Sequence, residues 1–385
     1  MDTTVKEGLR DVVIANSSIC IIDGKEGKLR YRGVNIDELA KHSTYEETAY
    51  LLWFGELPSQ KQLEEMMERM VAQRELDESI RNVIEVLPKT LQPMEALRTM
   101  VSVLPGCDPR ANDNSYDANI DKAIRLTAKL PTIVAYYQRY LEGDKFVSPD
   151  LTLGHAANFL YMLRGQAPTS LEAETMNLAL VLMAEHDLNA STFAGRVTVS
   201  TLSDMYSAIT TAIGTLKGPL HGGASQWTME MLLKVGELEN VESYIKGELA
   251  ARRRVPGFGH RVYRRVIDPR AVCFQRNLKM LCEEAGDMHW YNMAVRIAEV
   301  VFETSGLRPN VDYFGGPALY MLGIPLNLFT PIFAMSRVAG WIAHMIEQYD
   351  NNQLLRPLSN YVGDLAREYV PIEARNGHYS IIAQV

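Results

Sequence analysis

Cysteine is scarce: four stand in 385 residues, at Cys20, Cys107, Cys273 and Cys282, and no two form a C-x-x-C pair. A chain this long can build a core without disulfide staples, so reduced thiols in a cytosol are expected. Cys273 and Cys282 lack a glycine-flanked setting and read as inert. Positive charge is also in deficit. Lys and Arg total 39 against 47 Asp and Glu, a formal net charge of −8. That excludes a nucleic-acid scaffold, whose affinity comes from neutralising phosphates. Any anionic ligand must be held by a local basic cluster working against the global charge. Residues 1–7 contain no apolar run of the kind a secretory signal needs. One stretch, residues 313–336, is uncharged for the length of a bilayer span. Gly315, Gly316, Pro317, Gly323, Pro325, Asn327 and Pro331 interrupt it, which predicts two short buried segments joined by a turn. No membrane partner is expected, and the expected location is cytoplasmic. Fixed-period repeats and low-complexity tracts are missing as well.

What is present is a large reserve of core. Hydrophobic residues make up 47% and charged residues 22%, ordinary for a globular chain, and the length suggests two or three domains. Strand signals are few. The best is Ser18-Ile19-Cys20-Ile21-Ile22-Asp23-Gly24 followed by Lys28-Leu29-Arg30-Tyr31-Arg32-Gly33, a small N-terminal hairpin. Helix signals dominate. Ser43-Thr44-Tyr45-Glu46 reads as a capping box opening a helix over residues 44–54, with Gly55 at its end. Ser59-Gln60-Lys61-Gln62 and Thr169-Ser170-Leu171-Glu172 read as two more. Residues 178–184 and 205–216 are apolar all round and predict helices buried on several sides. Residues 107–114, with Pro109, Asn112 and Asn114, read as a surface loop.

Basic residues concentrate in residues 251–270, at Arg252, Arg253, Arg254, Arg261, Arg264, Arg265 and Arg270. Such a run is ordinarily a solvated helix end. Here it brackets Val255-Pro256-Gly257-Phe258-Gly259-His260, a turn expected to expose backbone amides, and that pairing favours a phosphate ligand. Three of the eight histidines, His186, His221 and His260, sit in glycine-rich or polar turns beside apolar helices. Most lone histidines are structural, but glycine neighbours let a ligand approach. None has metal-ligand spacing with another. His42, His155, His289, His344 and His378 lack such a setting and read as structural or surface residues. Asp312 opens the uncharged stretch and is either a helix N-cap or a desolvated base. No G-x-S-x-G elbow occurs. The inventory suits proton transfer beside a carbonyl, with carboxylates clamped by arginine.

Five blocks in order then carry a family resemblance. They are Gly218-Pro219-Leu220-His221-Gly222-Gly223-Ala224, Gly257-Phe258-Gly259-His260-Arg261-Val262-Tyr263, Asp268-Pro269-Arg270, Asn310-Val311-Asp312 and Ser336-Arg337-Val338-Ala339-Gly340-Trp341. With Ile22-Asp23-Gly24 and Leu355-Arg356-Pro357, the chain resembles the citrate synthase family, including its 2-methylcitrate synthases, over about residues 8–375. It departs from the family's pattern in three places. The segment from His260 to Arg270 is one residue longer, Ser225-Gln226 replaces the common Asn-Glu, and ten residues, 376–385, follow Arg375.

The resemblance implies an all-α, two-domain helical fold with a small N-terminal β-hairpin. Residues 1–217 and 317–385 would form the large domain and 218–316 a smaller one, hinged near Gly214, Gly218, Gly315 and Gly316. It implies condensation of acetyl-CoA with oxaloacetate and hydrolysis of the resulting thioester, with no permanently bound cofactor and CoA as substrate and product. Asp312, His221 and His260 would be catalytic, with His221 kept neutral by a helix N-terminus. His186, Arg270, Arg337 and Arg356 would bind the ketoacid. Arg254, Val255, Pro256, Gly257, Phe258, Gly259, Arg261, Arg264 and Arg265 would bind CoA. The protein would be a homodimer in which Arg356 is shared across the interface. The apolar tail, Tyr379-Ser380-Ile381-Ile382-Ala383-Gln384-Val385, would pack as an arm on the neighbouring subunit. Propionyl-CoA as the acyl donor, or a catalytically silent CoA-binding paralogue, are the competing expectations.

Overall fold

Strong caps and apolar faces give sixteen α-helices behind one short antiparallel sheet, in a computed structural model that describes residues 5–9, 12–260, 262–263 and 266–375. The helices are α1 (Ile36–His42), α2 (Tyr45–Phe54), α3 (Gln60–Ala72), α4 (Glu78–Val86), α5 (Pro93–Val103), α6 (Tyr116–Glu142), α7 (His155–Arg164) and α8 (Ser170–Met183). They continue as α9 (Ala190–Ser200), α10 (Met205–Leu216), α11 (Ala224–Val235), α12 (Val241–Ala250), α13 (Pro269–Ala285), α14 (His289–Ser305), α15 (Val311–Met321) and α16 (Phe329–Asp350). The chain divides into two units, Ser17–Leu354 and the two chain ends, Met1–Asn16 with Leu355–Val385.

In the larger unit the expected hairpin is present as β1 (Cys20–Asp23) and β2 (Lys28–Tyr31), with Cys20 opposite Tyr31. A third strand, β3 (Val34–Asn35), extends it in the order β1-β2-β3, and its two residues are too short for a pattern of alternation to show. Leu29 and Tyr31 face the core. The Tyr31 hydroxyl lies 2.9 Å from the Glu185 carbonyl oxygen and 3.1 Å from that of Leu182, which pins the sheet to the end of α8.

The capping boxes of Ser59 and Thr169 form as expected. At α2 the cap is Thr44, whose hydroxyl accepts the Glu47 N–H, and not Ser43. Ser43 ends α1 and turns its hydroxyl to Thr48, 3.0 Å away. The uncharged stretch also differs from expectation. Its second part is no short segment but the 22-residue α16. Pro331 falls in the first turn of α16, where its missing N–H has no helical acceptor to lose. Among the described residues, no helix is long and apolar enough to cross a membrane.

Helix α16 runs through the core against α9, α6, α10, α8 and α2. The Gly340 N–H donates to the Ala184 carbonyl at 3.1 Å, and a Cβ there would overlap both that carbonyl and the Glu185 carboxylate. Only glycine lets α16 come this close, and the contact brings Arg337, one turn earlier, to the C-terminal end of α8. Cys273 and Cys282 are buried, and burial pushes the Cys273 thiol up to about 11, consistent with inert thiols.

Among its described residues, the unit of the chain ends has little regular structure, with one 3-10 turn at Glu7–Leu9 and another at Ile372–Ala374. Leu358, Tyr361, Val362, Leu365 and Tyr369 expose large apolar side chains along it. The expected arm at residues 376–385 lies outside the described residues.

Candidate active site

Asp312 sits in the first turn of α15, and the structure removes one of its two readings. The N-cap is Asn310, whose side chain accepts the Asp312 N–H at 3.0 Å. Asp312 is therefore not the cap, and its carboxylate is left to other partners. Burial raises its pKa above the ordinary carboxylate value, opposed by a hydrogen bond from Ser225 and by the charge of Arg270. The Ser225 hydroxyl donates to Oδ1 at 2.6 Å.

His221 lies in the turn between α10 and α11. Its Nε2 accepts the Ser191 backbone N–H at 3.2 Å and lies 2.8 Å from the Ser191 hydroxyl. A nitrogen that accepts a backbone N–H carries no proton, so the neutral ring holds its proton on Nδ1. Burial, together with the nearby positive Arg337, pulls His221 down to about 4. Desolvation and that arginine keep the ring neutral at pH 7.

His260 has the opposite tautomer. Its Nδ1 accepts the backbone N–H groups of Val262 and Tyr263 at 3.0 and 3.3 Å, which leaves the proton on Nε2. Burial and the charge of Arg270 pull it down to about 4. The turn carrying it is strapped to the segment before α15. The Asn310 N–H donates to the Gly257 carbonyl at 2.9 Å, the Gly259 N–H to the Arg308 carbonyl at 3.1 Å, and the Asn310 side chain to the Gly259 carbonyl at 3.0 Å. His260 and Asp312 are thereby fixed on one scaffold.

His186 meets His260 edge-to-face with ring centroids 5.2 Å apart. Burial, then the charges of Arg270 and His260, push it well below the usual histidine value. Its Nε2 is buried without a partner, as is the Tyr263 hydroxyl, whose ring centroid is 4.9 Å from that of His260. Two buried polar atoms left unmatched in one pocket are costly unless a polar ligand completes them.

The arginines are buried too. Arg270, at the start of α13, is held by Asp268 through Nε at 3.0 Å and Nη2 at 2.7 Å. Asp268 caps α13 and also accepts the Val311 N–H at 3.2 Å, which ties α13 to α15. Arg337 uses Nε on the Met183 carbonyl at 2.7 Å and lies over the Phe333 ring. Both arginines act on His186 and Asp312. They place two positive charges in a desolvated site, an arrangement suited to an anionic group.

The structure thus gathers His186, His221, His260, Arg270, Asp312 and Arg337. Arg356 belongs to the unit of the chain ends and is exposed there. Of the expected CoA set, Arg254 is exposed, Val255 and Gly257 are buried, and Phe258 stacks on Tyr313 with centroids 4.4 Å apart. Pro256 and Gly259 are half-buried. One amide of the turn is not free as expected, because the Gly259 N–H is spent on the Arg308 carbonyl. Arg261, Arg264 and Arg265 lie outside the described residues. Residues singled out by geometry alone are Ser191, Ser225, Asp268 and Tyr263. The Asp268-Pro269-Arg270 block hinted at the third and the block ending in Tyr263 at the fourth, whereas Ser191 and Ser225 meet partners too distant in sequence to leave a local signal.

A family profile described as citrate synthase, C-terminal domain, matches residues 8–358. The chain is 46% identical to a citrate synthase of Haloferax volcanii over 97% of this chain and 100% of that one. It is 40% identical to a 2-methylcitrate synthase of Corynebacterium glutamicum, over 97% of this chain and 99% of that protein. A solved structure from Thermoplasma acidophilum, a ternary complex of citrate synthase with carboxymethyl coenzyme A and oxaloacetate, superposes with a TM-score of 0.90. It is 34% identical and covers 97% of this chain and 100% of that one. The chain belongs to the citrate synthase family and is an acyltransferase of that type.

Proposed function

We propose that the protein condenses acetyl-CoA with oxaloacetate and hydrolyses citryl-CoA to citrate and CoA. The observation that carries this reading is the pairing of two neutral histidines of opposite tautomer with a desolvated Asp312 beside two buried arginines. A thioester α-hydrogen is far less acidic than an Asp side chain, whose reference pKa is about 3.9. A carboxylate can take that proton only if the enolate is stabilised as it forms. Asp312 abstracts the proton while the His221 Nδ1–H donates to the thioester oxygen, where negative charge develops. The enol carbon attacks the ketone carbon of oxaloacetate. His260 donates its Nε2–H to the ketone oxygen and protonates the alkoxide that results. Arg270, Arg337 and His186 hold the ketoacid, and Arg356 reaches in from a second copy.

A cleft of about 210 Å³, lined by Trp227, Tyr244, Lys234 and Arg254 together with Glu230 and Glu248, supports a CoA site at this turn, with aromatic faces for adenine and two cations for phosphate beside two carboxylates. Residues 218–316 close over the substrates as a smaller domain and keep the enol from water. The exposed apolar side chains between Leu358 and Tyr369 support a homodimer in which the C-terminal stretch covers the partner.

The 40% identity to a 2-methylcitrate synthase favours one second reading, propionyl-CoA as the acyl donor. One methylene is worth about 1–3 kcal/mol in an apolar pocket. Steady-state release of CoA thiol with oxaloacetate and either acyl-CoA tests the choice. A higher kcat/KM for acetyl-CoA supports the first reading, and a higher value for propionyl-CoA replaces it with the second.

A further inference from the structure

The hydrogen bond between Ser225 and Asp312 joins the two elements that carry the reaction. Ser225 is the second residue of α11, directly after the turn that holds His221, and Asp312 is the second residue of α15. Helices α11 and α15 pack so closely that a Cβ on Gly316 would come within 2.6 Å of the Ser225 carbonyl oxygen. The Ser225 backbone is therefore fixed against α15 one turn beyond Asp312, and the residue is buried, with 6% of its surface exposed. From that anchored position its hydroxyl reaches Oδ1 at 2.6 Å, the length of a charge-assisted O–H···O⁻ bond.

We propose that Ser225 is a positioning residue for the base, holding Oδ1 of Asp312 so that Oδ2 is the oxygen that takes the α-hydrogen of the thioester. This rests on Asp312 being the base. A hydroxyl has one proton to give, and here it goes to a carboxylate that only accepts. The bond fixes the carboxylate's rotation, which determines whether Oδ2 or neither oxygen faces the substrate. It also favours the ionised form against the desolvation that disfavours it. The charges acting most strongly on Asp312 are Asp268 and Arg270 from the start of α13 and Arg337 from α16. From α11 the contribution is this neutral hydroxyl, and toward α14 the contact is the Tyr313 hydroxyl on the Ala294 carbonyl. Removing the hydroxyl leaves all three charges in place, so its effect on the base is separable from theirs.

The test is the pH profile of kcat/KM for the acyl thioester, with oxaloacetate saturating, in wild type, Ser225→Ala, Ser225→Thr and Asp312→Asn. A hydrogen bond to a charged group of the usual strength predicts that Ser225→Ala moves the acidic limb up by about one pH unit. Turnover below that limb falls about tenfold with it. The oxaloacetate KM stays within about twofold, because no ketoacid contact is removed. Ser225→Thr, which keeps a hydroxyl on Cβ, returns the limb to its wild-type position. An acidic limb in Ser225→Ala that coincides with wild type overturns the proposal, whatever happens to the rate. So does a Thr variant whose limb moves as far as that of Ala. Asp312→Asn separates this failure from a deeper one: near-normal turnover in that variant removes the base itself, whereas a dead Asp312→Asn beside an unshifted Ser225→Ala removes only the role of Ser225.

Discussion

The Nε2 of His221 lies 2.8 Å from the hydroxyl of Ser191, and the same hydroxyl accepts the indole N–H of Trp341 at 3.1 Å. One serine thus orients the His221 ring and satisfies a fully buried tryptophan. Ser191→Ala keeps the backbone N–H on Nε2 but strips the hydroxyl from His221, from Trp341 and from the Asn189 side chain, to which it donates at 2.8 Å. Leaving the Trp341 donor unpaired costs about 1–3 kcal/mol, read as a lower melting temperature. Looser orientation of His221 lowers kcat about tenfold, with little change in the ketoacid KM. A variant with wild-type kcat would show that the backbone contact alone holds the ring.

Tyr263 separates stability from binding. Its hydroxyl is buried without a partner, and it stands beside His186 and His260. Tyr263→Phe deletes a group that burdens the free protein, so the melting temperature without ligand stays level or rises. The rise in melting temperature produced by saturating oxaloacetate shrinks, because a donor to the ligand is gone. Thermal scans with and without oxaloacetate measure both arms.

Acid stability follows from His155, which is buried against the ring of Tyr45 and pulled down to about 3 by burial and then by Arg74. Unfolded, the same ring titrates near about 6.5 and binds a proton that the folded state refuses. Stability contributed by this group is therefore present above about pH 6.5 and falls as the pH drops toward the folded value. The loss is on the order of 3 kcal/mol by pH 4. His155→Phe removes the titration, and its denaturant midpoint falls less steeply between pH 6.5 and 4 than that of wild type.

Local signals were the legible part of the fold. The capping boxes at Ser59 and Thr169 are four-residue patterns that need nothing distant, and both helices begin where they predict. Helix α6 runs straight through Pro131, which locally argues for a break, because neighbouring helices bury that turn on all sides. The site divides the same way. Glycine-flanked His221 and His260 and the lone carboxylate opening an uncharged stretch at Asp312 point to themselves. Their partners do not, since Ser191 is 30 residues from His221 and Ser225 is 87 from Asp312. Neither serine stands in a pattern that predicts which side chain it meets. The Gly259 amide differs from expectation for a related reason. Glycine and proline announce a turn, but whether its N–H groups are free depends on the strand-like segment at 308–310 laid against it.

Arg356 tests the shared site. Homodimers of Arg356→Ala and of Asp312→Asn should both be nearly inactive, since a carboxylate without its guanidinium in a desolvated site costs several kcal/mol. Co-expression with different tags yields the mixed dimer. If Arg356 serves the partner's site, one site of that dimer has an intact Asp312 and an intact Arg356 and runs at up to about half the normal rate. A mixed dimer as inactive as its parents places Arg356 in its own subunit's site or in none.

The central claim is that Asp312 takes the proton that starts the reaction. Its most direct measurement is deuterium exchange into the acetyl-CoA methyl group, with oxaloacetate or a non-reacting analogue bound, in wild type and Asp312→Asn. The account predicts that exchange and turnover both collapse by several orders of magnitude in the variant, while oxaloacetate affinity by calorimetry changes little. Exchange that persists at near wild-type rate in Asp312→Asn would contradict it.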